Sequence, residues 1–154
     1  MDFRLDLETE TIAQVYSADP LCVAPDTSIR EVLELLRARS RGCVLICREG
    51  KLVGIFTERD ALRLMAAGDN LERFVEDVMI RQPVTVREGA SVSEAIHKMS
   101  AGGYRRLPVV DQQDQPIGVL NVSGILHYFV EHFPSVIYNL PPDPHHAMQE
   151  REGA

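Results

Sequence analysis

The chain has 154 residues, of which 45% are hydrophobic and 25% are charged, and its formal net charge at pH 7 is −7. This composition is typical of a globular protein and excludes disorder of the whole chain, while the acidic balance argues against broad binding to nucleic acid or to an anionic membrane. No apolar run approaches the ~20 residues that span a bilayer, and the acidic N-terminus MDFRLDLETE does not resemble a signal peptide.

The three cysteines, Cys22, Cys43 and Cys47, are an odd number and lack a spacing typical of metal sites. Cys43 and Cys47 lie in an apolar run, where small buried thiols are expected. We therefore expect a reducing, cytoplasmic location. Because the chain as a whole is acidic, any recognition of anions requires a local cluster of basic side chains.

An internal repeat organises the chain. The segment PLCVAPDTSIREVLELL, which starts at Pro20, resembles PVTVREGASVSEAIHKM, which starts at Pro83, an offset of 83 − 20 = 63. CVLICREGKLVGIFTERD likewise aligns with RLPVVDQQDQPIGVLNVSG if the second turn carries one extra residue, which gives 118 − 54 = 64 at the glycines. Such self-similarity predicts two copies of one structural unit.

In chain order, each copy begins with a short extended piece, at 21–23 and 84–86, and continues into an amphipathic helix. An S-x-x-E capping-box pattern starts both helices, at Ser28 and at Ser91. The i, i+3, i+4, i+7 spacing gives each helix one buried stripe. The stripes are Ile29, Val32, Leu33 and Leu36 in copy one and Val92, Ala95, Ile96 and Met99 in copy two.

Two apolar runs separated by turn residues follow each of these helices and predict a hairpin whose strands are buried on both faces. A second helix follows each hairpin, at about 58–67, with Gly68 as its stop, and at about 123–132, ended by Pro134. The unit is therefore β-α-β-β-α, an α/β (α+β) fold. Since ~60 residues are marginal alone, we expect the copies to pack face to face around one core. The hairpin runs are 43–47 with 52–56 and 107–110 with 117–120.

The segments outside the copies differ in character. LERFVEDVM spaces its apolar residues as a short amphipathic helix joining the copies. After Phe133, repeated prolines exclude regular structure, and the apolar residues of this extended tail favour packing either on its own module or on a second chain. The predicted organisation is an N-terminal extension over 1–15, copy one over 16–69, a linker helix over 70–79, copy two over 80–132 and a tail over 133–154.

The stretch GIFTERD, from Gly54 to Asp60, has two interpretations. Thr57 and Asp60 fit an N-cap and an acidic first turn, which is a structural role alone. The alternative is a bound nucleotide, since a helix N-terminus favours phosphate, a short acid accepts hydrogen bonds from a ribose diol, and a threonine donates to phosphate. Copy two has Asn121 and Gly124 at these positions, which keeps the cap and loses the acid. We therefore favour ligand binding.

The duplicated unit, together with LVGIFTERDAL and RRLPVVD, resembles the CBS-pair, or Bateman, module over about residues 16–132. The resemblance implies two β-α-β-β-α units related by a pseudo-twofold axis, with two clefts between them. It also implies that the clefts bind adenosine-containing ligands such as AMP, ADP, ATP or S-adenosylmethionine, that modules pair into dimers, and that they regulate rather than catalyse.

The same resemblance places Thr57 and Asp60 opposite two segments of copy two, an extended first strand over 80–85 and the pre-hairpin segment GGYRRLPVV. Tyr104 would lie beside the base, where an aromatic face stacks on adenine for ~1–3 kcal/mol. The structural alternative is a partly buried tyrosine at a helix exit.

Three arginines, Arg59, Arg105 and Arg106, would offer positive charge to the phosphates. The opposite cleft would lack both an acid and an aromatic ring, so we expect one competent nucleotide site per chain. That opposite cleft would combine Asn121 and Gly124 with Cys22, Arg41 and Gly42. The predicted ligand-binding residues are Thr57, Asp60, Arg59, Gly54, Ile80, Val84, Thr85, Tyr104, Arg105, Arg106 and Pro108.

Catalytic patterns are lacking in the sequence. No Ser-His-Asp or Cys-His arrangement has a recognisable spacing, and no P-loop or carboxylate cluster for a metal is evident. We therefore expect no enzyme activity, no metal site and no obligatory cofactor, and we interpret His145 and His146 as solvated tail residues.

The predicted function is a regulatory sensor that binds an adenine nucleotide, with AMP first, and passes its state to an effector on another protein. We expect a cytoplasmic homodimer with neither nucleic acid nor membrane as a partner. The alternatives are a nucleotide-independent dimeric scaffold and a module that binds S-adenosylmethionine.

Overall fold

The computed structural model describes residues 7–132. Each copy has the predicted order of a short strand, a helix, a hairpin and a second helix, so the mixed α/β fold is confirmed. The described elements are β1 (Cys22–Val23), α1 (Ile29–Arg39), β2 (Cys43–Arg48), β3 (Lys51–Thr57), α2 (Glu58–Ala67), β4 (Ile80–Arg81), β5 (Val86–Arg87), α3 (Val92–Gly102), β6 (Arg106–Val110), β7 (Pro116–Asn121) and α4 (Val122–His132).

Local sequence explains where the first helix of each copy begins. The hydroxyl of Ser28 accepts a hydrogen bond from the N–H of Glu31 at 3.1 Å, and that of Ser91 accepts one from Glu94 at 3.0 Å. Each bond satisfies one of the N–H groups that a helix start leaves without a partner. α1 ends at Ser40, whose φ of 50° is left-handed and stops the helix.

The two sheets repeat one pattern of pairing. In copy one, β1 pairs parallel with β2, and β2 pairs antiparallel with β3. In copy two, β5 pairs parallel with β6, and β6 pairs antiparallel with β7. The complete orders are β1-β2-β3-β4 and β5-β6-β7. The matching pairings confirm that the repeated sequence forms one structure twice.

Each copy also lends its first extended residues to the sheet of the other. β4, at the start of copy two, pairs antiparallel with β3, so that Ile80 lies opposite Ile55. Ser17, at the start of copy one, forms an antiparallel bridge with Val119 on β7. This reciprocal exchange fastens the copies together through backbone hydrogen bonds.

The structure corrects the extended segment expected over 80–85. Only Ile80–Arg81 is a strand there, Gln82 has a left-handed φ of 48°, and the next strand begins at Val86. The turn at Gln82 takes the chain from the sheet of copy one back to copy two. One continuous strand could not serve both sheets.

Glycine is needed where the exchanged segments cross the sheets. A Cβ on Gly54 would overlap the Sδ atom of Met79, and a Cβ on Gly118 would overlap the carbonyl oxygen of Ser17 and the ring of Tyr16. The close approach of another segment at these two equivalent positions leaves no room for a side chain.

The prediction of one shared core is wrong, because each copy has its own. Helices cover one face of each sheet, and the other faces meet in a small cluster formed by Cys43, Leu45 and Ile55, with Val119 packed against it. The core of copy one consists of Ile29, Val32, Leu36, Val44, Ile46, Phe56, Ala61, Val75 and Met79. The core of copy two consists of Ile12, Val86, Ala90, Val92, Ala95, Met99, Leu107, Val109, Leu120 and Ile125.

The linker helix predicted over 70–79 is also wrong, since only Val75–Asp77 forms a short 3-10 helix there. The carbonyl oxygens of Leu71 and Arg73 accept hydrogen bonds, each 2.9 Å long, from the first two N–H groups of α1. In a continuous helix those carbonyls would bond to N–H groups four residues later. The start of α1 therefore occupies these carbonyls and keeps them out of a continuous helix.

Residues ahead of copy one pack on copy two. Ile12 is fully buried, and its N–H donates to the carbonyl of Ala90 at 3.0 Å. The carbonyl of Glu10 accepts from the N–H of Val92 at 2.8 Å, so the extension closes one side of the second core. The tail predicted over 133–154 lies outside the described residues.

Candidate ligand-binding cleft

A cleft of about 1030 Å³ opens between the two copies. Copy one contributes the end of β3 and the start of α2, and copy two contributes β4, the segment between α3 and β6, and the start of α4. The lining residues are Ile55, Thr57, Glu58, Arg59, Leu62, Ile80, Arg81, Gln82, Pro83, Val84, Gly103, Tyr104, Arg105, Arg106, Pro108, Asn121, Val122, Ser123 and Leu126.

The cleft is positively charged although the chain is acidic. It is lined by Arg59, Arg81, Arg105 and Arg106, and among the described lining residues Glu58 alone is acidic. Arg81 donates to a backbone carbonyl at 2.8 Å. Within residues 7–132, no carboxylate forms an ion pair with the other three arginines. Unpaired guanidinium groups around one space suit a carboxylate or phosphate ligand.

Arg106 lies at the boundary between the copies. Its guanidinium is so close to Gly42 in copy one that a Cβ on that glycine would overlap it. Burial raises the pKa of the adjacent Cys43 thiol, and the positive charge of Arg106 opposes this shift. A ligand held by Arg106 would therefore be placed against both copies.

Apolar and aromatic side chains complete the lining. Tyr104 is 41% exposed, and its ring lies over Gly102, where a Cβ would overlap the ring carbons. Ile80 and Val84 are also partly exposed, at 50% and 37%. A flat, accessible ring beside aliphatic groups and arginines suits a ligand that has both an aromatic and an anionic part.

The structure confirms that Thr57 and Asp60 of GIFTERD cap α2. The hydroxyl of Thr57 accepts from the N–H of Asp60 at 3.4 Å, and Asp60 Oδ2 accepts from the N–H of Thr57 at 2.9 Å and from its hydroxyl at 3.0 Å. This is a complete capping box. Asp60 Oδ1 has no hydrogen-bond partner among the described residues.

The structure brings eight of the eleven predicted residues to the cleft. Asp60 is not among the lining residues, because its carboxylate turns to the cap. Gly54 lies under Met79, and the carbonyl of Thr85 accepts from Lys98 Nζ at 2.8 Å. The eight lining residues are Thr57, Arg59, Ile80, Val84, Tyr104, Arg105, Arg106 and Pro108.

Sequence reasoning missed the contribution of α4 to this cleft. Asn121, Ser123 and Leu126 line it together with the start of α2. The signal was present, because Asn121 aligns with Thr57 in the repeat, and a pseudo-twofold arrangement brings equivalent helix starts close together. Leu62, three residues after Arg59 on α2, is on the same helix face and could have been found from this spacing.

A second, smaller cleft of about 480 Å³ lies on the other side of Asn121. The prediction for it is wrong in two respects. Cys22, Arg41 and Gly42 do not line it, and Tyr16 supplies the aromatic ring that we expected it to lack. Its residues are Val15, Tyr16, Ser17, Asn121, Ser123, Gly124 and His127. No arginine is among them.

Residues 7–132 contain no group of three or more His, Cys, Asp or Glu side chains that could hold a metal ion. None of the helices in this range is long and apolar enough to cross a membrane.

Comparisons with known proteins agree with this architecture. The family model described as CBS domain matches residues 12–67 and 75–131. Inosine-5'-monophosphate dehydrogenase of Methanocaldococcus jannaschii is 32% identical over 114 residues, which cover 73% of this chain and 22% of the dehydrogenase. The chain thus spans about a fifth of the length of that relative.

Solved structures with similar folds include two complexes with adenosine compounds. The CBS domain pair of protein MJ0100, in complex with 5'-methylthioadenosine and S-adenosyl-L-methionine, has a TM-score of 0.71 and 28% identity, covering 77% of this chain and 98% of the other. CBSX2 in complex with AMP has a TM-score of 0.71 and 25% identity, covering 79% and 97%.

Proposed function

The chain belongs to the CBS domain family, and on that premise we propose that it is a regulatory module that binds an adenine nucleotide, with AMP first, in the cleft between the copies. The observation that carries the proposal is the cleft itself, in which four arginines and an accessible tyrosine border one space. The AMP complex of CBSX2 and the adenosine complexes of MJ0100 support this ligand class.

The phosphate would bind where Arg59 and Arg105 meet the N-terminus of α2. Both guanidinium groups are without carboxylate partners in the described part of the chain, and the helix start adds partial positive charge. The hydroxyl of Thr57 donates to Asp60, so it reaches the phosphate as a donor only if it turns away from that carboxylate.

The nucleoside would lie beside Tyr104, with its base on the exposed ring and Ile80 and Val84 at its edge. Asp60 uses Oδ2 for the cap, which leaves Oδ1 to accept hydrogen bonds from a ribose diol. In this proposal the cap orients the carboxylate that binds ribose, so the two interpretations of GIFTERD do not compete.

Charge separates AMP from the main rival ligand. S-adenosylmethionine carries a sulfonium cation and lacks a phosphate, so a cleft lined by four arginines and one glutamate favours AMP, ADP or ATP. The four arginines would determine which of AMP, ADP and ATP binds best, because these ligands differ in the number of phosphates.

Regulation would follow from the position of the ligand between the copies. A molecule that contacts α2 of copy one and Tyr104 of copy two stabilises one relative arrangement, and only a difference in affinity for two arrangements can shift their populations. We propose that the partner that senses this shift is another protein, that the module itself does not catalyse a reaction, and that it needs no obligatory cofactor, metal, nucleic acid or membrane. The three free thiols support a reducing, cytoplasmic location.

Calorimetric titration with AMP, ADP, ATP, S-adenosylmethionine and NAD tests the proposal. We expect AMP to bind saturably and Arg59→Ser to weaken it about tenfold or more, since a hydrogen bond to a charged group contributes about 1.5–3 kcal/mol. Arg63→Ser is the matched control, because Arg63 lies one turn further along the same helix and outside the cleft. Equal losses in both variants, or no binding by ligand-free protein, would contradict the proposal.

An exposed apolar face favours a homodimer. Leu62 and Met65 on α2, and Leu126 and Val130 on α4, are between 43% and 65% exposed. Both pairs have helical spacing, and Leu62 and Leu126 border the same cleft. Such a patch marks a contact surface, and it would also serve the alternative function of a dimeric scaffold that binds no nucleotide.

Sedimentation equilibrium tests the homodimer. We expect the wild type to be a dimer and the Met65→Glu/Val130→Glu variant to be a folded monomer, since neither side chain lines the cleft. A monomeric wild type would exclude the homodimer. A dimer that binds none of the five compounds would favour the scaffold.

A further inference from the structure

Two cysteines of copy one lie next to each other on neighbouring strands. β1 and β2 are parallel, with Cys22 opposite Leu45 and Val23 opposite Ile46. Side chains alternate along a strand, so Cys47, two residues after Leu45, is on the same face of the sheet as Cys22. The two side chains are therefore diagonal neighbours on one face of adjacent strands, and their thiols are close enough to share a hydrogen bond.

The two thiols are in hydrogen-bonding contact. This contact lowers the pKa of Cys22, against the opposing effects of its partial burial and of Asp19. The same contact, with burial, raises the pKa of Cys47. Cys22 is exposed and Cys47 is half-buried, so Cys22 is the group that reacts first with a molecule from solvent.

The third cysteine is in a different environment. Cys43 is only 8% exposed and belongs to the cluster between the copies. It lies four residues from Cys47 on the same strand, about 13 Å away at 3.3 Å per residue, whereas a disulfide needs Cα atoms within about 7 Å. Cys43 is therefore not a partner for Cys47, and the thiol of Cys22 shares its hydrogen bond with Cys47 rather than with the buried Cys43.

We propose that Cys22 and Cys47 form a reversible intramolecular disulfide when the protein meets a small-molecule disulfide such as oxidised glutathione. The Cys22 thiolate attacks one sulfur of the oxidant, which forms a mixed disulfide and releases one glutathione thiolate. Cys47 then loses its proton to solvent and attacks the sulfur of Cys22, which releases the second glutathione. Two protein thiols are oxidised, and one glutathione disulfide is reduced to two thiols.

The bond would act on the shortest strand of copy one. β1 has only two residues, and the disulfide would tie it to β2 and enclose 47 − 22 − 1 = 24 residues of chain that include α1. Closing such a loop restricts the unfolded chain, so oxidation should stabilise copy one. Neither cysteine lines the charged cleft, so this site is independent of the proposed nucleotide.

Mass spectrometry of the full-length chain tests the proposal. After treatment with oxidised glutathione and alkylation, we expect one modified cysteine, Cys43, a protein mass lower by two hydrogen atoms before alkylation, and a cross-linked peptide that joins Cys22 to Cys47. The midpoint of thermal unfolding should rise by roughly 5–10 °C, and a dithiol reductant should reverse both changes.

Two variants keep the test decisive. Cys47→Ser should stop at a stable mixed disulfide on Cys22, and Cys43→Ala should form the bond as the wild type does. The proposal is overturned if oxidised wild type retains three alkylatable thiols, keeps glutathione on Cys22, or forms its disulfide through Cys43 or between two chains.

Discussion

Phe56 in copy one and Leu120 in copy two occupy equivalent positions on the strands that end at the second helices, and both are fully buried. The same holds for Val44 with Leu107 and for Ile46 with Val109. The side chains differ in size and shape, yet each pair fills the same place in its own core. The packing of the unit therefore constrains burial at these positions more than it constrains identity.

The cleft arginines, unlike the core positions, have no basic equivalent in the other copy. By the offsets of 63 before the hairpin turn and 64 after it, their counterparts are not basic, although the backbone around them is repeated. The amide of Glu58 donates to the carbonyl of Gly42 at 3.0 Å, and Val122 donates to Arg105 at the same distance. The fold forms once without these charges, so their presence on one side favours a ligand over a structural role. Arg59, Arg81, Arg105 and Arg106 correspond to Ser123, Ala18, Gly42 and Cys43.

The largest effects on stability should come from truncating the core side chains that occupy equivalent positions in the two copies. We expect Phe56→Ala to lower the free energy of unfolding by about 3–5 kcal/mol and Leu120→Ala to lower it by about 2–5 kcal/mol, since each leaves a cavity in a closed core. Urea denaturation measures both. A loss below about 1 kcal/mol in either copy would show that this copy lacks a core of its own.

Alanine substitution of the two glycines at which the exchanged segments cross the sheets, Gly54 and Gly118, should lower stability by different amounts. Gly54→Ala meets the flexible side chain of Met79, and we expect a loss of about 1–3 kcal/mol. Gly118→Ala meets the backbone oxygen of Ser17 and a tyrosine ring, which yield less easily, so its loss should be larger. Thermal unfolding of the two variants gives the comparison, and the reverse order would show that the segment at Ser17 is the looser of the two.

Removing a cap from the second helix of each copy should lower stability by a smaller amount than the core substitutions, and the amount should differ between the copies. Asn121 Oδ1 alone accepts the N–H of Gly124, at 2.8 Å, so Asn121→Ala should cost about 1 kcal/mol. Asp60→Ala should cost less, because the hydroxyl of Thr57 still caps α2. Chemical denaturation measures both losses. A greater loss for Asp60→Ala would mean that its carboxylate supports more of copy one than the cap.

The smallest effect concerns Asp69, the last residue of copy one, whose counterpart in the repeat is residue 133, outside the described residues. The pKa of Asp69 lies below its ordinary 3.8, chiefly because the Arg73 guanidinium donates to the carboxylate and secondly because the backbone amide of Asn70 does so. A lowered pKa in the folded state means that this stabilisation is present above about pH 4 and is lost as the pH falls through the folded pKa. NMR titration of Asp69 in wild type and Arg73→Ala checks this; an equal midpoint in both would contradict it.

Much of the fold could be predicted because it depends on local patterns. The apolar stripe from Ile29, the hairpin runs and the residues Thr57 and Gly68 each specify one element, and the structure places all of them as expected. The prediction of a linker helix failed because the apolar spacing reflects burial of Val75 and Met79 in the first core, while the carbonyls of the linker accept hydrogen bonds from the start of α1.

The site was harder to predict because it depends on contacts between the copies. The positions of Tyr104, Arg59, Arg105 and Arg106 could be expected from the resemblance to the CBS-pair module. The exchange of Ser17 and Ile80 between sheets, in contrast, has no local signal. Without that exchange, neither the aromatic ring of Tyr16 in the smaller cleft nor the shared position of Asn121 between both clefts could be inferred.

The proposed function requires that one of the two clefts binds a nucleotide. The most direct test is the stoichiometry of AMP binding to ligand-free protein, measured by calorimetry on the wild type and on Arg59→Ser/Arg105→Ala. We predict one AMP per chain for the wild type and a large loss of affinity in the folded double variant. Two AMP molecules per chain would contradict the prediction that only one cleft binds. One AMP that binds the double variant as tightly would place the nucleotide outside the charged cleft and contradict the proposed function.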